Sequence, residues 1–343
     1  MQPVGTYKIT FLLLSVSLLI CFLVNISLGS VKIPFEDILN MLLFNTPEKE
    51  SWHYILFHYR LPKAITAVLT GAALSLSGLL MQTLFRNPLA GPFVLGISSG
   101  ASLGVALLIF GTAFLSGTAG LIVTGTVSIA IAASIGSFLV LVAVMAVAAR
   151  IRDTMAILII GLMFGSITTA VVSVLSFFGD MERLQQYIFW SFGSLGNLSW
   201  TEIGLFSFLV FFGLFISIFT LKSLNSFLLG ENYARSLGVN IKRARYLIII
   251  ATSLLAGSVT AFAGPIAFIG LAVPHLTRQL INTPNHKVLM PAVILLGAVI
   301  MLVCDTIAQL PTSEFTLPIN AITSLIGAPV VIWLLVKRKR IIF

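Results

Sequence analysis

Apolar residues in this chain come in long unbroken runs rather than in alternation with polar ones. Bounded by glycine, proline or charge, ten such runs fall at 9–28, 61–84, 93–110, 121–149, 155–177, 202–221, 246–268, 270–280, 288–308 and 319–336. About 20 apolar residues in a helix cross a bilayer core, so most of these runs are long enough to span it. Strands of a membrane barrel would alternate in polarity, and these do not. The run at 270–280 is too short to cross unaided, so it is either a half helix or borrows length from its neighbours. The first run follows Lys8 alone and suits a span better than the apolar segment of a signal peptide, so it reads as an uncleaved first helix.

Composition agrees with the pattern. Of 343 residues, 58% are hydrophobic and only 9% charged, with a mean hydropathy of +1.08, against roughly 25% charged in a soluble domain. The expected fold is an all-α polytopic membrane protein of about ten spans, a single transmembrane domain over 1–343. The net charge of +9 is scattered among the connections between spans, as membrane topology explains and nucleic-acid binding does not. With a cytoplasmic amino terminus and ten spans, only Lys32, Lys49, Arg60, Lys63 and Arg183 of the 20 Lys and Arg fall outside. That bias orients the chain with both termini cytoplasmic.

The stretch 222–245, KSLNSFLLGENYARSLGVNIKRAR, is the longest that lipid would reject. Lys222, Arg235, Lys242, Arg243 and Arg245 would each cost about 2.5–3.5 kcal/mol at a bilayer centre. It therefore reads as a cytoplasmic loop, with a short helix at 231–237 between Gly230 and a stop at Gly238. Such a helix offers Tyr233, Ala234 and Leu237 to a partner; a plain positive-inside loop accounts for the charge equally well.

Small residues cluster at helical spacing, Gly71, Ala72, Ser75 and Gly78 in the second run and Gly161 and Gly165 in the fifth, which predicts close helix packing. Ala90-Gly91-Pro92 and Ala263-Gly264-Pro265 echo one another on opposite faces of a ten-span order, as an inverted repeat of five plus five spans would. There is no GxxxxGK[ST] phosphate loop, no HExxH and no Cys/His cluster, so an ATPase or metal enzyme lacks its residues. Cys21 and Cys304 read as packing residues. Asp305 is the one acid within a span. It is expected to hydrogen-bond a neighbouring helix, or, in an ion-gradient-driven secondary carrier, to be the coupling acid.

Several motifs in order carry a resemblance: RLPK at 60–63, GAALSLSG at 71–78, Gln82, RNPLAGP at 86–92 and LGISSGA at 95–101. FIGLAVPHLTR at 268–278, His286, Asp305 and GAPVVIWLL at 327–335 follow. The chain resembles the FecCD family of ABC importer permeases, similar to those that carry iron-siderophores, haem and cobalamin across the cytoplasmic (inner) membrane. The resemblance implies a type II importer permease fold, a homodimer or heterodimer with a second permease, and two ABC ATPase subunits that bind ATP and magnesium. It also implies a periplasmic or lipid-anchored substrate-binding protein, and no cofactor, metal or catalytic residue in this chain. By the same likeness Gly230, Glu231, Ala234, Leu237, Gly238 and Val239 form the coupling helix against the ATPase. Arg60 and Lys63 meet acidic groups of the binding protein, with Lys63 standing where an arginine is usual. Asp153, Thr154, Gly161, Gly165, Ser166 and Thr169 belong to the path and its inner gate. After the ninth span Gln309 stands where the family has an arginine, and Glu314 is offset from the usual acid.

Overall fold

The structure is a computed structural model that describes residues 4–44, 48–111, 125–148, 154–310 and 315–336. Among the described residues every regular element is helical, and each of the ten predicted runs falls on a helix. Seven helices are long and apolar enough to cross a membrane, and two shorter apolar ones accompany them.

The first span is α1, Val4–Ser27. Two helices that the run analysis did not predict follow: α2, Phe35–Phe44, which buries Ile38 and Met41, and α3, Glu50–Ile55. The chain then passes through a π turn, Leu56–Arg60, into α4, Leu61–Leu84, as one 35-residue helix. Pro62 gives the widened turn a cause, because its ring clashes with the carbonyl four residues back in a regular α-helix.

Helix α4 is buried along almost its whole length and is the axis of the fold. Its small residues make this possible. A Cβ at Gly71 would overlap the Gly297 carbonyl, and one at Gly78 would overlap that of Gly270, so backbones touch as small-residue faces in membranes allow.

Beyond α4 the chain does not turn straight into another helix. Arg86 adopts a left-handed φ of 46°, and residues 87–91 and a short 3-10 turn, Pro92–Leu95, lead to α5, Ile97–Gly111. Then come α6, Thr126–Ala148, α7, Thr154–Phe178, and the amphipathic surface helix α8, Met181–Ser191, capped by Asp180. Gly100 and Gly104 of α5 pack against Gly136 and Ala132 of α6.

The second half begins with α9, Trp200–Phe227, which opens on a Ser199–Glu202 capping box. After α10, Glu231–Ser236, come α11, Ile241–Ala263, α12, Ile269–Leu280, α13, His286–Ala308, and α14, Ile319–Val336. The short run is a half helix: Gly264 (φ 79°) and Phe268 (φ 66°) break the chain before α12. The freed backbone groups are met inside the protein. Ser194 N–H donates to Ala263 O at 2.9 Å, and Ala267 N–H donates to Asn320 Oδ1 at 3.0 Å. Irregular backbone at this depth is tolerated only when satisfied in that way.

The loop expected at 222–245 is a correction. Helix α9 runs on to Phe227 and α11 starts at Ile241, so only 228–240 lies between spans. Lys222, Lys242, Arg243 and Arg245 sit on helix ends, where long cationic side chains reach the interface while the backbone stays helical.

Candidate functional site

The segment 229–239 is held in one shape by its own sequence. Gly230 precedes α10 with φ 101°, ψ 154°, a region open to glycine. The helix stops in a Schellman arrangement: Gly238 (φ 80°) donates to Arg235 O at 3.0 Å, and Val239 N–H to Ala234 O at 3.1 Å. Leu237 is the cap rather than part of the helix. Ala234 is fully buried, and Glu231 forms an ion pair with Arg245 of α11 at 3.1 Å. With the inner face so anchored, Leu229 (62% exposed), Tyr233 (53%) and Leu237 (53%) stand free in this chain. A groove of about 790 Å³ adjoins them, lined among others by Phe85, Arg86, Met155, Leu229 and Tyr233. It brings the ends of α4 and α9 and the start of α7 to the same place as α10.

Beneath this end lies a polar layer. Arg278 donates to Gln82 Oε1 at 2.7 Å, whose amide donates to Leu271 O at 3.2 Å. His275 Nε2 lies 2.8 Å from Pro88 O. His286 lies 2.9 Å from Thr83 Oγ1 and 2.8 Å from Asn225 Oδ1. Nothing in the sequence paired these histidines with their partners; the chain folding back at 86–96 onto α12 brings Pro88 to His275, and the packing of α13 beside α4 and α9 brings Thr83 and Asn225 to His286.

A second groove runs along α7. Two connected hollows of about 520 and 510 Å³ share Ser99, Thr169 and Ser173. Ser166 and Thr169 are exposed and line it. Gly161 and Gly165 line it too, and also act in packing: a Cβ at Gly161 would overlap Val94 O, and one at Gly165 would sit 3.2 Å from Ser99 Oγ. Thr154 opens α7, and Asp153 lies outside the described residues. Sequence reasoning missed Ser98, Ser99, Ser102 and Tyr187, which line the same space. The signal was there, three serines within five positions of α5, two of them inside the motif at 95–101 and Ser102 just after it. Burial pushes the Tyr187 phenol up from its ordinary value, with a hydrogen bond from Ser102 opposing, so it stays protonated at neutral pH.

At the opposite end, the predicted docking cations have partners inside the chain. Arg60 Nη1 donates to Ile26 O at 2.8 Å and Ser27 O at 2.9 Å, and Nη2 donates to Val31 O. It thus caps the C-terminus of α1, where a cation is favoured. Lys63 Nζ lies 3.2 Å from Asp305 Oδ1. Asp305, 1% exposed, also accepts from Asn25 Nδ2 and Gln309 Nε2, both at 2.9 Å on Oδ2. The expected hydrogen bond from Asp305 to a neighbouring helix is therefore present, on α1 and α4 together. Glu314 lies outside the described residues.

A buried helical axis among seven helices apolar and long enough to cross a membrane makes this an integral-membrane helical bundle, and the comparisons with known proteins give its class, an ABC transporter permease. The FecCD transport family profile matches residues 17–337, and the chain belongs to that family. It is 34% identical to the hemin transport system permease protein HmuU of Yersinia pestis, over 95% of this chain and 96% of the relative. It is 36% identical to the vitamin B12 import system permease protein BtuC of Salmonella paratyphi A, over 83% and 84%. A solved metal-chelate type ABC transporter in an inward-facing conformation superposes with a TM-score of 0.82 at 29% identity, covering 96% of this chain and 99% of that one.

Proposed function

We propose that the chain is the membrane-spanning subunit of an importer for an iron-siderophore, haem or cobalamin-type chelate. It pairs with a second permease, is driven by two ATPase subunits docked on α10, and is fed by a substrate-binding protein on the outer side, with both termini in the cytoplasm. The observation that carries this reading is the geometry of 229–239. A short helix stiffened by a Schellman stop and an ion pair, yet presenting Leu229, Tyr233 and Leu237, is suited to passing a push from a partner into the bundle. The adjoining groove supports the route, since it unites α10 with the start of α7, the helix along the hydroxyl-lined path.

The ion-gradient carrier would need Asp305 free to exchange an ion. Its pairing with Lys63 and its two amide donors fit a structural role instead. Arg60 and Lys63 remain at the rim of the proposed binding-protein face, with less charge to offer a partner than their outward placement implied. Proteoliposomes test the whole reading. Uptake should need ATP, the ATPase subunits and the binding protein together, and ATP-independent uptake that collapses with an uncoupler would favour the carrier.

A further inference from the structure

The groove along α7 has a chemistry that narrows its cargo. Residues 87–149 and 154–179, which include α5, α6 and α7, contain no Asp, Glu, Lys, Arg, His, Cys or Tyr. The polar side-chain atoms they bring to the groove are hydroxyls, and on α7 the protons of Ser166, Thr169 and Ser173 are already engaged. Ser166 Oγ donates to Leu162 O at 3.1 Å, Thr169 Oγ1 to Gly165 O at 2.9 Å and Ser173 Oγ to Thr169 O at 3.0 Å. A hydroxyl has one proton and two lone pairs. With the proton held by the helix, each of these residues turns acceptors toward the groove, spaced along one face of α7.

An ionised cargo finds no counter-charge on this wall, and at Ser166, Thr169 and Ser173 carboxylate or catecholate oxygens would meet other acceptors. A cargo rimmed with N–H or O–H groups exchanges its water for hydrogen bonds. In a homodimer the facing wall would have the same composition. We infer that the chelate carried by this permease has an uncharged rim bearing amide or hydroxyl donors, and is not one that presents carboxylates or catecholates. This rests on reading the α5–α7 groove as the path.

The test is uptake by proteoliposomes holding the full transporter. The probes are cyanocobalamin and a neutral ferric trihydroxamate on a cyclic peptide, set against haem and a trianionic ferric tris-catecholate. The binding protein selects first, so the permease's own share is read from Thr169→Val, which removes an acceptor at nearly constant shape, and from Thr169→Lys. One neutral probe should enter at least about tenfold faster than either anion. Thr169→Val should slow that probe a fewfold, and Thr169→Lys should slow it about tenfold while raising the anions relative to it. Equal or faster ATP-dependent uptake of haem or the catecholate, no carriage of either neutral probe, or Thr169 variants that leave the ratio unchanged would each overturn the cargo class. Uptake that ignores ATP would instead strike the importer reading beneath it.

Discussion

Removing the charge of Lys63 separates a structural Asp305 from a coupling one. In Lys63→Met the carboxylate stays buried on α13, keeping its amide donors from Asn25 and Gln309 but losing its cation at 3.2 Å. Breaking a buried pair by deleting one partner costs about 3–5 kcal/mol; since the Lys63 side chain is 22% exposed, the lower end, near 3 kcal/mol, is expected. Asp305→Leu should cost a comparable amount, part of it from the orphaned Gln309 amide. Asn25 would still reach Thr306 Oγ1 at 3.0 Å. The double variant Lys63→Met/Asp305→Leu removes both charges and places an apolar pair between α4 and α13, so it should recover most of the loss. Thermal unfolding in detergent reads the stabilities, and ATP-dependent uptake is measured on the same preparations. If the double variant is as stable as the parent yet transports nothing, Asp305 has a role that packing does not explain, and the structural reading fails.

Three further outcomes follow from close approaches and backbone shape. Gly78→Ala drives a Cβ into the Gly270 carbonyl and should destabilise the protein by about 1–3 kcal/mol, whereas Gly204→Ala, in a helix with nothing nearby, should be neutral or stabilising by up to about 1 kcal/mol; similar melting shifts for the two would contradict the packing account. Leu237→Asp should cut capture of the ATPase subunits at least about tenfold without lowering the melting temperature, because that side chain is outside the core; unchanged capture and transport would count against docking at α10. Gly238→Val meets no atom but must hold φ near 80°, at a cost of about 1–2 kcal/mol, so it should loosen α10 locally and leave ATP hydrolysis poorly coupled to uptake, as hydrogen exchange of 229–239 and the ratio of transport to hydrolysis would report.

The spans were legible because a bilayer demands continuous apolar length, and among the described residues each predicted run overlaps a helix, the runs at 93–110 and 246–268 also covering the breaks beside α5 and α12. The Gly230 and Gly238 boundaries were legible because glycine marks a backbone shape. The membrane-edge ends of α9 and α11 were misread for a physical reason: Lys222 and Lys242 exclude the lipid core but not helix, and a hydropathy window cannot tell the two apart. Helices α2, α3 and α8 escaped because they are short and need no long apolar run: α2 buries only Ile38 and Met41, and α3 and α8 bury no residue. The partners of Arg60 and Lys63 were invisible because they come from α1 and α13, far away in sequence.

The echo of Ala90-Gly91-Pro92 in Ala263-Gly264-Pro265 gains meaning from where the structure puts it. Each triplet follows a long helix, α4 or α11, and precedes a short one, α5 or α12. The first break is locked against α12, the helix that follows the second. Gly91 abuts Leu271, Gly270 abuts both Leu74 and Pro92, and Gln82 holds the Leu271 carbonyl. The first turn of α12 lies beside α4 between Leu74 and Gly78, and because 86–96 is not regular helix, its backbone reaches the same helix. Filling either gap with a regular helix would push α4 and α12 apart at the point where only glycine fits. The interrupted spans therefore follow from the same close packing that makes α4 the axis.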